Sequence, residues 1–232
     1  MSDSVTGFAD NWSYIRAELA WLDRVLMKAI ARQRQQNQTV ERVAKSSRDR
    51  ATSCWWLGFI DLDPTQGGRV LPKEVAPQVK VRFGDRLAAS GQVFLALPQL
   101  VARCKLTEFE RNLVLLCLAP EINRRYEQLY VLLNNDGDRN PQPTVDLGLR
   151  LFCNSDQAWL RARVSFGAKA PLIKHRIITL EPAGSGAKTL ISQRLCLQPK
   201  FVNFLLSDGM EIKRIIRQPR TKIADSNLVL KA

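Results

Sequence analysis

The chain has 232 residues, 45% of them hydrophobic and 25% charged. That composition excludes a disordered or collagen-like chain and suits one generous domain or two small ones. With 35 Lys and Arg against 22 Asp and Glu, the net charge is +13, a field that favours nucleic acid, a membrane surface or an acidic protein.

The first predicted element is an amphipathic helix. Trp12, Ile15, Leu19, Leu22, Leu26 and Ile30 recur in steps of three and four, with Asn11 as the expected cap and Asp10 at the positive end of the dipole. The stripe reads equally as core and as a seam for a partner. Arg32 to Arg50 is a polar continuation or an exposed connector. Cys54 to Leu62 is apolar and β-prone, Val79 to Phe83 alternates like a half-exposed strand, and Phe94 to Val101 is a short segment broken at Pro98.

The C-terminal half is more sharply written. Thr107-Glu-Phe-Glu110 is a capping box that opens a helix ending near Pro120. A second helix carries Ile122, Tyr126, Leu129, Tyr130 and Leu133 into the turn cluster from Asn134 to Pro141. Thr144 caps a third, apolar helix to Phe152, and Ser155 caps a fourth that ends before Gly167. Ile173 to Leu180 and Leu190 to Leu197 read as two strands of a hairpin, and Pro199 opens a last helix closed by Gly209. The expected fold is α+β and mostly helical. A winged-helix-like domain over 99–209, with its hairpin as the wing, follows an N-terminal helix and connector at 1–50 and a small mixed region at 51–98. A basic tail at 210–232 completes the division.

The chemistry is sparse. Ala183 to Thr189 imitates a phosphate loop, but Ala187 and Pro182 stand where glycines are needed. Asp61 and Asp63 sit at a turn before Pro64. Asn134, Asp136 and Asp138 start like a calcium loop, yet Arg139 replaces the glycine and Val145 the closing glutamate. His175 is a lone histidine without a nucleophile to serve. Cys54, Cys104, Cys117, Cys153 and Cys196 are odd in number and widely spaced, as reduced buried thiols are, and they form no zinc-type pair. No catalytic residue, metal or cofactor is expected. No apolar run approaches the roughly 18 residues of a membrane span. The opening segment lacks the build of a secretory leader, so a cytoplasmic location is expected.

Two sets of candidate binding residues remain. The third helix offers Val145, Leu149 and Arg150; with only Asp146 and Arg150 polar it is too apolar to hydrogen-bond base edges, which points to protein contacts there and at Trp12, Ile15, Leu19, Leu22 and Leu26. The alternative is nucleic-acid backbone binding through a basic patch: Arg161, Arg163, Lys169, Lys174 and Arg176 beside the wing, and Lys213, Arg214 and Arg217 in the tail.

Several stretches resemble a known group. Asn11-Trp-Ser-Tyr-Ile-Arg-Ala-Glu-Leu19, Leu106-Thr-Glu-Phe-Glu-Arg-Asn-Leu-Val-Leu-Leu116, Ala119-Pro-Glu-Ile122, Tyr126 to Tyr130, Pro143-Thr-Val-Asp-Leu147 and Ala170-Pro-Leu172 are similar to the N-terminal winged-helix region of bacterial AAA+ ATPases. That group includes ATPases encoded beside contractile injection systems. The similarity covers about 11–36 and 95–209. The resemblance implies an adaptor that holds a protein partner, either the ATPase core or a remodelling substrate. No Walker motif follows Gly209, so this is either an excised N-terminal part or a stand-alone accessory protein, and no motor residue is carried over.

Overall fold

The structure is a computed structural model that describes residues 6–44, 77–91, 93–134, 141–182, 189–212 and 215; residues 36–44 and 77–82 are described by their backbone alone. The stretch from Cys54 to Leu62, residues 183–188 of the phosphate-loop imitation, Asp61, Asp63, Asp136 and Asp138 lie outside those residues.

Helix α1 spans Asn11–Ala44. Its cap is Asp10, not Asn11: Asp10 Oδ1 accepts from Ser13 N at 2.6 Å and the Asp10 carbonyl accepts from Tyr14 N at 3.3 Å. Asn11 is thereby released for tertiary work. Its Nδ2 donates to the carbonyls of Leu205 (2.8 Å) and Ser207 (3.0 Å), and its Oδ1 accepts from Ala96 N at 2.9 Å. One buried amide thus serves the open ends of two other helices, which sequence-local capping rules do not foresee.

Helix α2 spans Pro77–Ala89 and overturns the strand expected at Val79 to Phe83. The period-two alternation there is short, whereas Phe83 and Leu87 are one helical turn apart and both pack on the core. Phe83 meets Phe8 and Tyr14, with ring centroids 5.5 and 5.8 Å away. Phe8 N donates to Ser90 Oγ at 2.6 Å, and a Cβ on Gly7 would stand 2.8 Å from the Ala89 carbonyl oxygen. Only glycine lets the N-terminal segment lie this close to α2.

Helix α3 spans Ala96–Cys104, so Pro98 lies inside it rather than breaking it. Pro98 occupies the first turn, where a helix has no use for the missing N–H. Helix α4 spans Glu108–Ile122 and opens with the capping box: Thr107 Oγ1 accepts from Glu110 N, and Glu110 Oε2 accepts from Thr107 N at 2.8 Å. It passes through Pro120 and keeps Ile122. The carbonyl of Leu116, which a residue with an N–H at 120 would serve, accepts instead from the Tyr130 hydroxyl at 2.7 Å. Tyr130 belongs to α5, Arg125–Asn134.

Helix α6 spans Val145–Phe152 with the Thr144 hydroxyl as cap, accepting from Leu147 N at 3.1 Å. Helix α7 spans Asp156–Arg163 with Ser155 as cap, and a 3₁₀ turn over Val164–Phe166 extends it to Gly167. The expected strand from Ile173 begins only at Ile178. Pro171 starts the short helix α8, Pro171–Lys174, and Arg176 adopts φ 52°, a left-handed conformation that no strand continues through. Strand β1, Ile178–Pro182, pairs antiparallel with β2, Gln193–Leu197, in the register Ile178 to Leu197. Thr144 bridges β2 at Arg194, and the Pro143 carbonyl accepts from Leu195 N at 2.8 Å, so the lead into α6 lies along the hairpin. Helix α9, Pro199–Leu205, ends short of Gly209, which supplies a φ of 149° in the turn beyond.

A single buried cluster runs from Phe8 to Ile215 and joins α1, α3, α4, α5, α6, the hairpin and α9. Its centre is α4, whose residues from Leu113 to Leu118 are buried all round. The architecture is α+β and predominantly helical, with the order of helices and hairpin that defines a winged helix.

Candidate docking surface

In a winged helix that reads DNA, the third helix of the core presents polar side chains to the major groove. That helix is α6 here, and its faces are spent otherwise. Val145, Leu147 and Leu149 are buried, and a Cβ on Gly148 would stand 2.6 Å from Leu113 Cδ2, a mark of close approach to α4. Phe152 stacks on Trp21 of α1 with centroids 6.1 Å apart. Of the outward residues, Arg150 donates from Nε to Asp146 Oδ2 at 2.7 Å and from Nη2 to the Leu133 carbonyl at 3.0 Å. The one cation on α6 therefore closes the end of α5 and is neutralised by its neighbour.

The amphipathic stripe of α1 is likewise consumed within the chain. Ile15, Leu19, Leu22 and Leu26 are buried where α1 crosses α4, α5 and α6; only Trp12 is exposed. The partner surface expected at Ile15, Leu19, Leu22, Leu26, Val145 and Leu149 is thus replaced by intramolecular packing, since an apolar face reports that it is covered and not by what. Polar ties reinforce the crossing. Glu18, fully buried, pairs with Arg111 of α4, whose Nη1 also donates to Asn112 Oδ1 at 2.8 Å. Asp23 pairs with Arg125 and accepts from the Tyr126 hydroxyl at 2.8 Å.

Five of the basic residues fall on one described stretch of chain. Arg161 and Arg163 end α7, Lys169 lies in the turn after it, Lys174 ends α8 and Arg176 follows; all five are exposed. None forms an ion pair among the described residues, and no acidic residue stands between Gln157 and Leu180. Arg163 lies over the Trp159 ring at 5.5 Å. Beneath them Ala162, Phe166 and Leu172 are buried, and Phe166 meets Phe109 of α4 edge-to-face at 6.0 Å. Above them, Leu160 and Val164 stand 62% and 73% exposed, the two most exposed large apolar side chains among the described residues. An open hollow of about 420 Å³ lies alongside, lined by Val164, Gly167, Ala168, Lys169 and Ala170. The cations are legible in the sequence; the outward turn of Leu160 and Val164 is not. Lys213, Arg214 and Arg217 lie outside the described residues.

The four described thiols show no activation. Burial pushes Cys104, Cys117 and Cys153 upward, and burial with the Glu181 charge lifts Cys196 to about 11. His175 sits at the end of α8 and is half-buried. Among the described residues no group of three His, Cys, Asp or Glu side chains is placed to hold a metal, and no helix is long and apolar enough to cross a membrane.

These features define a winged-helix fold whose reading helix is turned inward. The comparison with protein families agrees: the model described as "Winged helix domain, variant" matches residues 1–217, and the chain belongs to that family. No curated protein and no solved structure gives a significant match.

Proposed function

We propose that this chain is a non-catalytic winged-helix adaptor that makes protein contacts and positions an AAA+ ATPase, of the kind encoded beside contractile injection systems. The observation that supports this most directly is the Asp146–Arg150–Leu133 tie. It engages two of the five donors of the one cation on α6 and sets a carboxylate against its charge, which leaves that helix poorly equipped to read base edges. The resemblance of 11–36 and 95–209 to the N-terminal region of such ATPases supplies the motor. The partner is the ATPase core or the substrate it remodels.

A second reading, a basic winged-helix nucleic-acid-binding protein, is favoured by the unpaired cations from Arg161 to Arg176. Electrophoretic shifts of a pool of duplexes in rising salt separate the two. The adaptor reading expects binding that fades steeply with salt and selects no sequence, together with co-elution of the purified chain with an AAA+ ATPase encoded in the same operon. Selection of one sequence at physiological salt would overturn it.

A further inference from the structure

We infer that the face built by α7, the 3₁₀ turn and α8 docks an acidic polypeptide segment that carries large apolar side chains at helical spacing. The inference rests on the protein-contact reading and gives it a surface and an occupant. Leu160 and Val164 are one helical turn apart, so their side chains form a ridge along α7. Ala162 and Phe166 are buried, and positions two removed lie on the opposite face of the helix, so Leu160 and Val164 are held out at 62% and 73% exposure, where solvent gains nothing from them. Arg161 and Arg163 share the helix that carries that ridge, and Lys169, Lys174 and Arg176 follow it in the chain, with Asp156 the one acidic residue from Ser155 to Leu180. A partner must therefore bring negative charge to the rim and apolar surface to the ridge, and an acidic amphipathic helix brings both. A phosphate backbone satisfies only the rim and would leave Leu160 and Val164 against hydrated sugar and phosphate, which is why a polypeptide is favoured. The base is rigid enough to serve. Ala170 N donates to the Gly167 carbonyl at 2.9 Å, Ile177 N to the Leu172 carbonyl at 2.9 Å, and Leu172 is the buried residue of α8.

The test is fluorescence anisotropy on the full chain at physiological salt with three labelled probes. One is a glutamate-rich peptide with leucines at helical spacing, the second its twin with serine in place of every leucine, and the third a DNA duplex of random sequence. The leucine peptide should bind about tenfold more tightly than its twin, and Leu160→Ser with Val164→Ser should remove about that factor without touching duplex binding. Both substituted positions are exposed, so the melting temperature should be unchanged. Arg161→Glu with Lys174→Glu should weaken all three probes. Equal binding of the two peptides, or a serine variant that holds the leucine peptide as the parent does, overturns the inference, as does a duplex bound more tightly than either peptide. Failure with both peptides leaves the adaptor standing on another surface, whereas selection of one sequence from the duplex pool at physiological salt removes both.

Discussion

Asn11→Ala tests how the ends of the fold are held. The substitution deletes three hydrogen bonds and leaves the Ala96 N–H and the carbonyls of Leu205 and Ser207 without that partner. Ala96 and Leu205 are fully buried, while Ser207 is part-exposed and can turn to water. Two buried groups at about 1–3 kcal/mol each give an expected loss of about 2–6 kcal/mol. Urea unfolding followed by circular dichroism measures it, with the slope unchanged and the midpoint lowered. Asn11→Asp should do no better, since it keeps the acceptor for Ala96 but sets a carboxylate oxygen against two carbonyls. Trp12→Ala, next door and 45% exposed, is the control and should cost much less. A loss below about 1 kcal/mol for Asn11→Ala, no larger than an ordinary surface change, would refute the idea that this amide joins α1, α3 and α9.

Tyr130→Phe should cost about 1–3 kcal/mol by stranding the Leu116 carbonyl, and adding Pro120→Ala should restore part of that by returning an N–H at position 120; strict additivity in the double-mutant cycle would count against it. Glu18→Ala should lose about 2–4 kcal/mol in denaturant, because Arg111 is left without its carboxylate, whereas Glu18→Leu with Arg111→Met should lie closer to the parent. The chain's three tyrosines all hold their protons when folded. Burial raises Tyr14, helped by the Glu18 charge; burial and the Asp23 bond lift Tyr126 to about 12; and burial raises Tyr130. Each folded value lies above the unfolded one of about 10, so stability is full below that pH and declines as the unfolded chain releases protons the folded chain keeps. Tyrosinate absorbance should therefore stay near zero in the native protein at a pH where the urea-unfolded chain is half ionised; matching titrations would contradict the burial.

The parts of the fold legible in the sequence are those written locally. Thr107, Thr144 and Ser155 cap the helices they precede because a cap needs only the next three residues. Misreadings arose where a distant group settled the matter. Pro98 and Pro120 signal breaks until one knows that the first falls in a first turn and that Tyr130 repairs the second. Val79 to Phe83 has a strand's alternation, and Leu87, one turn beyond, is what tips the segment to a helix against Phe8 and Tyr14. The stripe from Ile15 to Leu26 announced an apolar face, but whether α4 or a foreign molecule covers it is a property of the whole chain. The cations around α7 were visible by charge alone; the outward ridge of Leu160 and Val164 was not, because periodicity cannot separate a helix's exposed apolar turn from its buried one.

The join made by Asn11 also has a mechanical side. Because the first turn of α1 is fastened to the last turn of α9, a tug on the backbone just past Ser207 is delivered straight to a helix roughly 51 Å long. On α1 that load meets Glu18 and Asp23, each paired with a different neighbouring helix, while the covalent path through α9 leads to β2. The long helix is thus tied to the rest of the fold at its first turn and again along its first half.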